Sequence, residues 1–152
     1  MRAFRRLPRR SQAVFFPALV LNPLFRLVAK RRGIKSATAL ARRLAGHAVQ
    51  PPQPVDPTGT HPSLPIARQV VLGVRAAAGA LPVELVCLPR SLTAWTILNR
   101  MGISATLRIG MDASTDHKTA HAWIDVLGEP IGEAPGQIQQ MAEFSEPILG
   151  RT

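Results

Sequence analysis

Tyrosine is absent from this chain, cysteine occurs once, and nine Asp and Glu stand against 19 Lys and Arg. A single cysteine cannot close an internal disulfide and cannot build a cysteine zinc site, which excludes disulfide scaffolds and zinc-finger-like folds. A reducing cytosol is the simplest compartment for such a chain. Aromatic residues are only 5% of the total and do not interleave the arginines, so a base-reading nucleic-acid surface is not expected. The 152 residues suffice for one domain with a real core, and no internal repeat is visible.

The shortage of acids is uneven. Twelve of the 19 basic residues (Arg2, Arg5, Arg6, Arg9, Arg10, Arg26, Lys30, Arg31, Arg32, Lys35, Arg42, Arg43) lie between Met1 and Arg43, a stretch with no acid, so the whole formal net charge of +10 arises there and the rest of the chain is slightly acidic. Such a segment attracts acidic peptides, polyanions or an anionic membrane surface in a salt-dependent way. "MRAFRRLPRR" followed by "AVFFPALVLNPLF" has the charged and apolar parts of a secretory signal, but Pro17, Asn22 and Pro23 interrupt the apolar part. It is also shorter than the roughly 20 residues of a membrane span. Three readings stay open: a signal, a surface-lying or partner-binding segment, and a docked part of the fold.

Further along, "SATALARRLAGHAV" (36–49) has Leu40 and Leu44 four apart and Ser36 as a possible cap, which predicts a short helix. Six prolines in 50–65 exclude a helix or central strand there and predict a linker or strap. The spacing of Ile66, Val70, Val74 and Ala77 predicts a helix over 66–81, ended by Gly79 and Pro82. Leu92 and Trp95 continue a stripe from Leu88 and predict another over 89–100, stopped by Gly102. The period then becomes two. Strands are predicted over 104–111 and within 120–133, with a polar loop at 112–119 and a weak helix and tail over 136–152. The expected class is α+β, with a helical amino-terminal extension (1–49), a strap (50–65) and a core (66–152).

Cys87 precedes Pro89, and proline favours the first turn of a helix. A thiol at that place is exposed to unpaired N–H groups and the helix dipole, which favour the thiolate. A base is then required. His47, His61 and His117 fall in a helix, the strap and the polar loop, whereas His121 shares one face of a strand with Trp123 and Asp125. Asp125 is four residues along the same strand, roughly 13 Å away, too far to orient the imidazole directly. If "VLG" (126–128) is a three-residue hairpin loop, residue 121 faces 133, and Glu133 comes within about 5 Å between Cβ atoms. A helix-start cysteine, a strand histidine and an opposed carboxylate match the nucleophile, base and orienter of a hydrolase or acyltransferase. A buried, inert thiol in a basic scaffold protein is the competing reading.

Residues 66–134 also carry a resemblance. "CLPRSLTAWTILNRMGISATLRIGM" and "AHAWIDVLGEPIGE" resemble the transglutaminase-like cysteine proteases that remove leader peptides in bacterial lasso-peptide biosynthesis. The resemblance implies a papain-like core with the catalytic cysteine at a helix start packed on a small antiparallel sheet. It implies Cys87 as nucleophile, His121 as base and Glu133 as the third member, where the family often has Asp. The backbone of Cys87 and Leu88 would face the oxyanion, and Arg90, Ser91, Trp123 and Asp125 are candidates to line the substrate. No cofactor or metal is implied. The basic first third is unlike the recognition domain of fused members, which implies a stand-alone protease. Its partners would be the precursor peptide, a separate leader-binding protein and a lasso cyclase, and the basic amino terminus could touch a membrane surface.

Overall fold

A computed structural model describes residues 7–46, 62–83, 86–112, 120–133, 138 and 141–143. Its elements are helices α1 (Arg9–Ala45), α2 (Ser63–Gly79) and α3 (Cys87–Arg100), then strands β1 (Thr106–Asp112), β2 (Ala120–Val126), β3 (Glu129–Pro130) and β4 (Met141–Glu143).

Helix α1 is far longer than the sequence suggests. It runs through Pro17 and Pro23 and is interrupted only at Gly33, where φ is 79° and ψ 173°. Ser11, Val14, Ala18, Asn22 and Phe25 are buried at spacings of three and four, and Ala37, Thr38, Ala41 and Ala45 resume the row beyond the interruption. Packing of that face outweighs the local cost of two prolines. The helix expected over 36–49 is thus the second limb of a longer one and ends at Ala45. Ser36 does not cap it; its hydroxyl donates to the Arg32 carbonyl at 2.9 Å.

Helix α2 crosses α1 closely at Gly73, where an added Cβ would sit 2.6 Å from the Ser11 carbonyl oxygen. The Ser11 hydroxyl donates to the Gln69 carbonyl at 2.8 Å beside that crossing. The helix begins three residues earlier than expected, at Ser63, because Pro65 lies in the first turn, where no donor is needed. The rest of the proline strap, with His61, lies outside the described residues, as does His47 before it. One core joins all three helices to the sheet: Phe25 and Ala41 of α1, Val70 and Val74 of α2, Leu92 and Leu98 of α3, and Leu107 and Ile124 of β1 and β2.

The sheet is antiparallel in the order β3-β2-β1-β4. Leu107 pairs with Ile124 on the face that meets the helices, and Arg108 pairs with Trp123 on the other. Strand β4 stands where a weak helix was expected, because the free edge of β1 pairs it through Met111 and Ala142. Asp112, expected to open the polar loop, ends β1; the rest of that loop, with His117, lies outside the described residues.

The hairpin corrects the expected register. Val126 pairs with Glu129 and Asp125 with Pro130, so the loop has two residues, not three. Leu127 and Gly128 both have positive φ, 57° and 82°, the pattern of a type I′ turn. On this register residue 121 would oppose 134, and a regular strand would aim Glu133 away from His121.

Candidate active site

Strand β3 is two residues long, so the edge of β2 lies open near Ala120 and Ala122. The Ile124 carbonyl accepts from Ile131 N–H at 2.9 Å, the last rung of that ladder. The start of α3 fills the gap beyond it. Ser91 donates its hydroxyl to the Ala122 carbonyl at 2.8 Å, and the Cys87 thiol approaches the Ala120 carbonyl at 3.8 Å. A helix end thus takes the place of a third rung, and it brings the cysteine to the strand that carries the histidine.

Cys87 is the first residue of α3, after an extended Val86 (φ −63°, ψ 168°), and no side chain caps that turn. The thiol is half-buried. Burial by itself opposes its ionisation; a hydrogen bond from His121, the Ala122 backbone N–H, the charge on His121 and the Leu88 backbone N–H together outweigh that and hold its pKa below the ordinary value. His121 is pushed up to about 9 by its hydrogen bonds to Cys87 and Glu133, against burial and with the help of both negative charges. The two shifts favour a thiolate beside an imidazolium. Because His121 Nε2 lies 3.1 Å from Glu133 Oε2, Nδ1 is the ring nitrogen left for the sulfur.

Glu133 reaches the histidine by a bend rather than by strand register. Gly132 has φ +84°, and an added Cβ there would lie 2.6 Å from Val71 Cγ1 of α2. Only glycine combines that conformation with that close approach. The bend brings the Glu133 carboxylate back to His121, where its second oxygen accepts from Arg75 at 3.0 Å. Burial raises the Glu133 pKa, but the hydrogen bond and charge of His121, with the charges of Arg75 and Arg90, carry it below the usual carboxylate value. Arg75 belongs to no local motif; the contact spans 58 positions of chain, and nothing in the neighbouring sequence announces it.

The remaining candidates divide. Arg90, Ser91 and Trp123 line the same cleft as Cys87, His121 and Glu133. Ser91 is also the tie between α3 and β2. Trp123 is 1% exposed and its ring lies near parallel to the imidazole, centroids 6.2 Å apart, so it supports His121 from behind. Asp125 does not line the cleft: its carboxylate accepts from Trp123 Nε1 at 3.0 Å and forms an ion pair with Arg108. It anchors the sheet on the face away from the core. Among the described residues no cluster of three or more His, Cys, Asp or Glu could hold a metal ion.

The cleft thus brings together a thiol, an imidazole and a carboxylate, groups that can act as nucleophile, proton carrier and orienter. Residues 18–146 match the family model described as the transglutaminase-like superfamily. No curated protein and no solved structure matches the chain.

Proposed function

The chain belongs to the transglutaminase-like superfamily, and from that premise we propose that it is a cysteine peptidase that removes the leader from a ribosomally made lasso-peptide precursor. The observation that carries the reading is the contiguous set of Cys87 at a helix start, His121 raised to about 9, and Glu133 at 3.1 Å from the imidazole. Superfamily membership supports protease or acyl-transfer chemistry; the resemblance of residues 66–134 narrows it to leader removal.

The Cys87 thiolate attacks the scissile carbonyl carbon, and the carbonyl oxygen takes the charge. The backbone N–H groups of Cys87 and Leu88, at the start of α3, would face that oxygen. As the tetrahedral intermediate collapses, the imidazolium of His121 gives its Nδ1 proton to the leaving nitrogen, which departs as the free amine of the core peptide. Neutral His121 then takes a proton from water, the hydroxide attacks the thioester, and the leader leaves as a carboxylic acid. Glu133 accepts from Nε2 throughout and keeps the ring oriented, while Arg75 holds Glu133. A separate leader-binding protein presents the precursor, and a lasso cyclase uses the amine.

The test incubates the full chain with a precursor peptide and its leader-binding protein and reads the products by mass spectrometry. Free leader with a free core amine is expected, and none with Cys87→Ala. A leader joined to an added amine instead would identify an acyltransferase. Unchanged cleavage by Cys87→Ala would end the catalytic reading and leave a basic scaffold protein.

A further inference from the structure

The face of α1 that points away from the core is not the polar surface a packed helix usually shows. Arg9, Ala13, Phe16, Val20, Leu24, Leu27 and Arg31 succeed one another at spacings of three and four, half a turn from the buried row of Ser11, Val14, Ala18, Asn22 and Phe25. Phe16 is 63% exposed, Val20 67% and Leu27 48%. Single exposed apolar residues are ordinary, but a row of them along one helix face, with only Leu24 half-buried between, is not. A cation closes each end of the ridge, and the two lie about 33 Å apart along the helix. Exposed Arg26, Lys30 and Arg32 stand beside it, and no acid occurs before Asp56. Val20 also walls an apolar groove, with Leu21, Leu44, Ile97 and Met101, which widens the patch toward the end of α3.

We propose that this ridge docks the protein on an anionic membrane surface, with α1 lying in the plane of the headgroups. The helix is long and apolar enough to cross a membrane by length and composition. Its inner face, however, is committed to the core shared with α2 and α3, so the outer row can meet lipid only by lying on it. The charge decides the kind of surface: apolar side chains enter the acyl boundary while the flanking arginines and lysines meet anionic headgroups. Docking leaves the cleft free. Met101 follows the last residue of α3, at the ridge, and Cys87 is its first, about 21 Å away along the helix.

The full chain is sedimented with vesicles of phosphatidylcholine alone and of phosphatidylcholine with phosphatidylglycerol. Binding is expected to the second only and to weaken with salt. Phe16→Asp with Val20→Asp should lower partitioning by roughly tenfold or more per side chain, and Arg9→Gln or Arg31→Gln by roughly fivefold each. Circular dichroism and the alkylation rate of Cys87 should not change in these variants. Equal binding to neutral vesicles, or binding indifferent to the Phe16 and Val20 changes, overturns the proposal. A ridge that instead holds two copies together would show as a dimer that these variants dissociate, with no vesicle binding, and that result overturns it as well.

Discussion

Replacing Glu133 by Gln keeps the size of the side chain and removes its charge, so it asks how much of the thiolate and imidazolium pair the carboxylate sustains. Two of the four influences that raise His121 to about 9 belong to Glu133, its hydrogen bond and its charge; the others belong to Cys87. Losing an adjacent opposite charge should lower the imidazolium pKa by about one unit or more. The consequence has a sign on each limb of the pH profile. On the proposed mechanism activity needs the thiolate, which appears as pH rises through the depressed Cys87 pKa, and the imidazolium, which is lost as pH rises through about 9. In Glu133→Gln the alkaline limb should move to lower pH. The acid limb should move to higher pH, because a less protonated His121 supports the thiolate less. The active window thus narrows from both sides, and the maximal rate should fall roughly 10²-fold. The assay is the pH dependence of Cys87 alkylation by iodoacetamide together with an NMR titration of the His121 ring. Asp125→Asn is the control: its carboxylate serves Arg108 and Trp123, so it should lower stability and leave both midpoints in place. An unmoved His121 midpoint in Glu133→Gln, or an equal shift in Asp125→Asn, would refute the reasoning.

Arg75→Gln should reduce turnover by roughly fivefold or less, since the pair with Glu133 is partly exposed, with Arg75→Lys recovering part of the loss and the alkaline limb moving less than in Glu133→Gln. Gly132→Ala should destabilise the protein by about 2 kcal/mol in urea unfolding and lower turnover. A second change, Val71→Ala, should restore stability in part but not activity, because it makes room for the methyl without making φ +84° easier. Leu127→Asn should add about 1 kcal/mol of stability at unchanged activity, because leucine is poorly suited to φ 57° and asparagine is at home there.

Much of the candidate site's arrangement could be read from the chain because its signals are local. Pro89 and the stripe from Leu88 to Trp95 fix a helix start at Cys87, and strict alternation puts His121 on a strand. Glu133 was reachable too, but by an argument that happens to fail: a three-residue loop would have brought it opposite His121, whereas the real loop has two residues and the carboxylate arrives by the bend at Gly132. Leucine at positive φ is what hid the tight turn, since asparagine or glycine would have announced it. The length of α1 was hidden by Pro17, Pro23 and Gly33, each of which reads locally as a stop. The spacing of Ser11, Val14, Ala18, Asn22 and Phe25 was present, yet apolar residues all around the helix obscured which face turns inward. Arg75 could not have been found, because its meaning is created by a contact between distant parts of the chain.

The bend at Gly132 makes two apparently separate features a single inherited choice. A turn of two residues leaves the strand register wrong for the carboxylate, and a residue without a side chain sets it right. A relative with one more residue in the turn would have the register right and no use for the glycine. Turn length and the residue before the acid should therefore covary across the superfamily, short turns with glycine and longer turns with ordinary strand residues. A collection of aligned members in which the two vary independently would show that the carboxylate is aimed by some other means.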